Sequence, residues 1–318
     1  MIIELSNEAV EYGREALRAF EAAGGDDLVQ QVEDDPARRA GIVAAVLTEL
    51  GAWDLDPRGD ADELEAAAAL CRSAGYWAVP YPVAERLSRP TDLAVDGLVV
   101  VANSDPKAHL ANLDDLRWAA VALNGRRSAV AARPPSTPPR MSAFVAQLDL
   151  RPLDENGADD LALALTLPCW TLLGMLDRAL DLTRAHVLLR EQFGAPLAQL
   201  QGVQFQLTEA EVERSGLDVL AKYTLWSIQV GNDTALDDAL AFRLAAVEAA
   251  QTVFRVAHQL HGASGFCDET TLSWISRYSI PLRRMPWGPS GTLDALTGRI
   301  DRRGLSGLFD DTHEKAVL

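Results

Sequence analysis

Two short stretches concentrate the polar side chains. In REQFGAPLAQLQGVQFQL (190–207) Arg190 ends one helical run, Gln192, Phe193 and Gly194 make a corner ahead of Pro196, and a glutamine-rich run opens at Gln201. In QLHGASGF (259–266) Gln259 and His261 precede the small residues Gly262 and Ala263. A guanidinium suits phosphate because it offers a fork of N–H donors. Small residues let backbone groups come close to a ligand. Plainer explanations also hold for each residue. An arginine at a helix C-terminus complements the macrodipole, Gly194 is a stop signal, Gln201 is an exposed helix residue, and His261 is a satisfied histidine at a helix end. Cys71, Cys169 and Cys267 are far apart and odd in number, so they form neither metal spacing nor a disulfide framework.

The elements that must position these corners fall into three textures. Residues 1–90 are helical in pattern, with Val43, Val46, Leu47 and Leu50 at helical spacing and ADELEAAAALCRSAG rich in helix formers. Residues 91–165 change character. DGLVVVAN and MSAFVAQLDL read as strands, RWAAVALNGRRSAVAA as a hairpin turning at Asn124-Gly125 with positive φ angles, and ARPPSTPPR (132–140) as a proline-rich connector. Residues 166–318 return to helix. CWTLLGMLDRALDLTRAHVLLREQ, VQFQLTEAEVERSGLDVLAKYTLWSIQV and DTALDDALAFRLAAVEAAQTVFRVAHQLHG are long runs, and ETTLSWISRYS is a shorter fourth. Long helices joined by short corners predict an antiparallel four-helix bundle. The fold class is therefore mostly α with a small β region, in three domains over 1–90, 91–165 and 166–318.

The chain has 318 residues, 48% of them hydrophobic, and a formal net charge of −17. Such acidity disfavours phosphate backbones and anionic lipid, so neither nucleic acid nor a membrane surface is an expected partner. The apolar stretch LALALTLPCWTLLGML (161–176) is too short to span a bilayer and contains Pro168. With no signal-peptide pattern at the N-terminus and no disulfide framework, a cytoplasmic location is expected.

The two corners, at this spacing within one bundle, resemble the acyl-CoA dehydrogenase family. GMLDRALDLTRAHVLLREQFGAPLAQLQGVQFQLTEAEVE is similar to the family's stretch in which a helix ends in Arg-x-x-Phe-Gly and the next begins with a Gln-x-x-Gln pattern. QLHGASGF is similar to its Gln-x-x-Gly-Gly-x-Gly corner, with Ala263 where a second glycine is usual. The likeness is strong over roughly 170–277. It implies an N-terminal helical domain, a reduced middle β domain and a C-terminal four-helix bundle. It also implies FAD as cofactor, with Arg190 meeting the pyrophosphate of a flavin seated mainly on a neighbouring subunit. Gln192, Phe193, Gln201, Gln259, His261, Gly262 and Ala263 complete the clamp on the nucleotide.

The family's reaction needs a base for the α-proton of an acyl thioester and a flavin that accepts the β-hydride. The usual base is a glutamate in the loop after the fourth helix. Here that region reads RRMPWGPSGTL (283–293), with Pro286 or Trp287 at the base position. The strand segments that wrap the flavin ring are missing from 91–165. The resemblance is therefore to the short, degenerate subunits of bacterial steroid-degrading (cholesterol catabolism) enzymes. Such a subunit gives half of an ADP clamp to a full-length acyl-CoA dehydrogenase partner, in a heterotetramer acting on a bulky acyl-CoA. The alternatives are a flavoenzyme with a relocated base and a non-catalytic scaffold or regulatory bundle.

Overall fold

The computed structural model describes residues 4–132 and 144–304, so the proline-rich connector and the start of MSAFVAQLDL lie outside the described residues. The chain opens with α1 (Asn7–Ala22), capped by the Ser6 hydroxyl, which accepts from the Ala9 N–H at 3.3 Å. Its residues Ala9, Gly13, Ala16 and Phe20 make one buried face. Short α2 (Leu28–Asp34) and α3 (Arg39–Glu49) follow, then α4 (Ala61–Tyr76), whose cap Asp60 accepts from the Asp62 and Glu63 N–H groups. A short α5 (Val83–Leu87) leads into the strands.

Four strands form one sheet in the order β1–β3–β4–β6: β1 (Gly97–Val101), β3 (Trp118–Ala122), β4 (Arg126–Ala132) and β6 (Asp149–Asn156). β1 runs parallel to β3, with Gly97 opposite Trp118, and the other pairs are antiparallel. A second, two-stranded piece pairs β2 (Lys107–Ala108) with β5 (Ala146–Gln147). The expected single strand over MSAFVAQLDL is thus two, because Leu148 lies between them with its N–H given to the Pro106 carbonyl. The hairpin forms where expected, with a different turn. Gly125 alone has positive φ (+80°), and the Asn124 side chain accepts from the Arg126 N–H at 3.1 Å.

The remaining helices are α6 (Leu161–Leu189), α7 (Gln201–Gln229), α8 (Ala235–His261), α9 (Thr271–Arg284) and α10 (Pro289–Arg303). The first four pack as the expected bundle, and α10 adds a fifth helix against α8. α6 begins eight residues earlier than the CWTLL run suggests and passes straight through Pro168. Burial on most sides outweighs the one backbone hydrogen bond that proline removes. The stretch Ala158–Leu189 is long and apolar enough to cross a membrane, but 78% of its most apolar window is buried inside this protein. Its apolarity is that of a central core helix.

α4 and α6 cross at two glycines. A Cβ on Gly75 would lie 1.9 Å from the Thr171 carbonyl oxygen, and one on Gly174 would lie 1.9 Å from that of Arg72. Backbone therefore touches backbone at this crossing. Arg72 reinforces it, donating from Nε to Asp177 at 2.6 Å and from Nη1 to Asp218 on α7 at 2.7 Å. On the far side Arg39, fully buried, donates to the carbonyls of Pro80, His109 and Ala111 and stacks 4.2 Å over the Phe144 ring. One guanidinium thus joins the N-terminal helices to the strand region. The main hydrophobic core runs from α1 through both layers to α9.

Candidate nucleotide corner at one end of the bundle

α6 ends where Arg190 turns extended (ψ 118°), its N–H still donating to the His186 carbonyl at 2.9 Å. A two-residue hairpin follows, pairing β7 (Glu191–Gln192) with β8 (Ala195–Pro196). Its turn residues, Phe193 and Gly194, both have positive φ (+56° and +81°). This is the backbone pattern of a type I′ turn. Glycine takes it freely, whereas a left-handed phenylalanine costs about 1–3 kcal/mol. No packing offsets that cost, for Phe193 is 92% exposed. The Leu197 N–H closes the corner on the Arg190 carbonyl at 2.8 Å, and Gln204 donates to the Ala198 carbonyl, fixing the start of α7.

Arg190, Gln192 and Gln201 are all exposed. Among the described residues the Arg190 guanidinium has no hydrogen-bond or ion-pair partner.

The second corner reaches the same end of the bundle. His186, in the last turn of α6, stacks on His261, in the last turn of α8, with centroids 4.3 Å apart and planes 22° from parallel. The buried His261 bonds the Ala257 carbonyl through Nδ1 at 2.8 Å. Burial lowers the basicity of both rings, and the nearby Arg190 charge lowers His186 further. Gly262 ends α8 with φ +62°, which explains glycine there, and a Cβ on it would meet nothing within 4 Å. Gln259, Gly262 and Ala263 are exposed, while most of the His261 ring is taken up by internal contacts.

At the other candidate position the residues separate. Pro286 lines a cavity of about 90 Å³ between α5, β1, α6 and α9, whereas Trp287 packs beside Leu165, Ala239 and Leu240. Arg243, buried on α8, holds this corner by donating to the carbonyls of Leu282, Met285 and Trp287. The cavity is far smaller than the roughly 300 Å³ at which small-molecule pockets begin. Its wall carries Glu85, which sequence reasoning passed over. Burial pushes that carboxyl above its ordinary range, partly offset by Arg39, and holds the His109 imidazole well below its own. The only signal in the sequence was an acid inside an otherwise apolar run. No group of His, Cys, Asp and Glu among the described residues could hold a metal.

Comparison with known proteins agrees with this architecture. Residues 166–304 match the family profile described as the acyl-CoA dehydrogenase C-terminal domain. A curated relative, acyl-CoA dehydrogenase FadE28 of Mycobacterium tuberculosis, is 32% identical over 128 residues, covering 40% of this chain and 37% of FadE28. The matched part is thus little more than a third of that relative's length. A solved structure of a variant of the Tcur3481–Tcur3483 steroid ACAD superposes with a TM-score of 0.78 at 20% identity, covering 93% of this chain and 98% of that one. The ChsE4–ChsE5 complex from Mycobacterium tuberculosis gives 0.71 at 15% identity, over 96% of this chain and 100% of the other. Residues 166–304 thus match the acyl-CoA dehydrogenase C-terminal domain, and nearly the whole chain shares the fold of these solved structures.

Proposed function

We propose that this chain is the shortened subunit of a heteromeric, cytoplasmic, FAD-dependent acyl-CoA dehydrogenase that acts on a bulky, steroid-derived thioester. The observation that carries this reading is the solvent-facing corner. Among the described residues Arg190 is an unpaired guanidinium beside a left-handed, almost fully exposed Phe193, a costly arrangement that no contact there offsets. It fits the diphosphate end of a flavin held by another chain. Arg190 would pair with the pyrophosphate, Gln192 and Gln201 would donate amide N–H groups, and Phe193 would cover the nucleotide. The second corner adds Gln259, Gly262 and Ala263, with His261 holding the two corners together. The flavin supplies hydride acceptance when bound, and this chain's residues only position and shield it.

Two further features support a partner. The narrow cavity and the proline on its wall offer neither a ring pocket nor a base at the usual place. Along α7, Phe205, Val212 and Val219 recur every seven residues and are 65%, 64% and 53% exposed. A seam of that kind suits packing against another helix. The structural neighbours described as Tcur3481–Tcur3483 and ChsE4–ChsE5 each name two chains, and the first is called a steroid ACAD. A second reading, a flavoenzyme complete in itself, is favoured by Glu85 alone.

Visible spectra and native masses of the chain, expressed alone and with a full-length acyl-CoA dehydrogenase, separate these readings. The half-clamp predicts a colourless lone chain and a yellow mixed complex. A yellow homo-oligomer of this chain would overturn it.

A further inference from the structure

Two helices end at the His186–His261 stack, and helix ends of this sense favour a cation. His186 lies in the last turn of α6 and His261 in the last turn of α8, where unpaired carbonyls gather the negative end of each dipole. The Ala257 carbonyl can only accept, so Nδ1 of His261 carries a hydrogen and Nε2 of the neutral ring keeps its lone pair. Rings 4.3 Å apart take up one proton far more readily than two, because like charges at that spacing repel. Burial opposes the proton, and so does Arg190, which follows His186 by one helical turn and whose N–H still bonds the His186 carbonyl. Arg190 is the charged neighbour that acts on His186. From α8, His258 acts on His261, and Arg283 of α9 acts on His258 rather than on the stack. The turn Gly262–Phe266 carries no ionisable side chain. On α7, Glu209 is paired with Arg255, and Glu211 with Arg184 and Arg214. Among the described residues no carboxylate therefore offsets Arg190 or pairs with either ring.

We propose that the stack is a proton-coupled latch on the Arg190 corner: an anion seated on Arg190 draws one proton from solvent onto the His186–His261 pair, and the protonated pair holds the anion more tightly. This coupling rests on Arg190 acting as the anion clamp proposed above. An anion cancels the charge that opposes the proton and attracts the proton itself. The two binding events then help each other equally, as linkage requires. The pair binds its proton more strongly with the anion in place than without it. Anion affinity is therefore flat at high pH, climbs as pH falls through the interval between the two proton-binding midpoints, and levels off below it. A flavin diphosphate held by Arg190 in the mixed complex is retained better at pH 6 than at pH 7.5.

The test follows the histidine ring protons of the full chain by NMR from pH 5 to 8, in chloride and in sulfate at equal ionic strength. Sulfate is the probe because it does not itself titrate in this range, and His186→Asn identifies the His186 signal. We expect the His186 midpoint to be higher in sulfate, a gain of roughly two- to fivefold in proton affinity, the size of a charge interaction at a helix end. Arg190→Ala should raise the midpoint in chloride and remove the response to sulfate, and Arg190→Lys should keep both as they were. In the mixed complex, His186→Asn should flatten the pH dependence of flavin retention. A midpoint equal in the two salts, or a sulfate response that survives Arg190→Ala, would overturn the coupling. If Arg190→Ala lowers flavin retention while His186 ignores sulfate, the clamp stands and the coupling falls. If His186 follows sulfate through Arg190 while flavin retention ignores that arginine, the coupling stands and the flavin clamp falls.

Discussion

His186 and His261 lie 75 positions apart and meet as stacked rings, 4.3 Å between centroids, so that the last turns of α6 and α8 are joined face to face. Both rings, together with His258 and His109, are held toward the neutral form by burial. A group whose folded pKa is depressed binds its proton more readily when unfolded. Stability from these rings is thus present above the ordinary histidine value of 6.5 and is lost as pH falls through the lowered folded values. Thermal unfolding should therefore shift downward between pH 7.5 and 5.5. The double variant His186→Asn/His261→Gln should show a shallower pH dependence. An equal slope in that variant would assign the acid sensitivity to other groups.

Arg190 contributes nothing visible to the fold. Arg190→Ala should leave the unfolding free energy within about 0.5 kcal/mol, as for a surface change. The flavin content of the mixed complex should fall, with an affinity loss of about 1.5–3 kcal/mol. Flavin retention after dialysis checks this directly. Full retention would reduce Arg190 to a helix-end charge.

Glu85 separates the clamp from its rival. Its carboxyl is raised by burial, so its charged form is disfavoured in the folded state and stability is lost as pH climbs from the ordinary value of 4.5 through the folded one. Glu85→Gln should stabilise the chain at pH 8 by on the order of 1 kcal/mol, with no gain below pH 4.5. Under the clamp reading the mixed complex keeps its turnover in this variant. Loss of turnover would make Glu85 a catalytic base and displace that reading.

The parts of this molecule that were legible in the sequence are those set by local pattern. The spacing of Leu172, Leu176, Leu180 and Val187 marks α6, and the Arg190 and Gly262 corners sit at the helix ends where their residue types predict. What was not legible depends on approach in space. The helical run read from the sequence starts at Cys169, just after Pro168, whereas burial against α4, α8 and α9 carries α6 through that proline from Leu161. The base loop hid α10, whose start is marked only by Pro289. His186 looked like one more residue on a helix, because its partner arrives from another element. Glu85 gains meaning only once β1, α6 and α9 enclose it.

The α4–α6 crossing yields a prediction with an internal control. At Gly174 a methyl group would overlap the Arg72 carbonyl at 1.9 Å and crowd the Tyr76 N–H at 2.9 Å, and both are helix backbone that cannot rotate away. Gly174→Ala must push α4 from α6, breaking contacts that seat the N-terminal helices on the bundle. We expect a loss of about 3 kcal/mol, at the upper end for overpacking. Gly216, exposed in the middle of α7, has nothing within 4 Å of its would-be Cβ and an ordinary helical φ. There the same substitution should stabilise by roughly 0.5–1 kcal/mol, because alanine loses less backbone freedom on folding. Urea unfolding of both variants measures the difference. Equal effects would mean that the crossing yields more easily than its backbone contacts imply, and that the N-terminal helices sit on the bundle less firmly than the Arg72 network suggests.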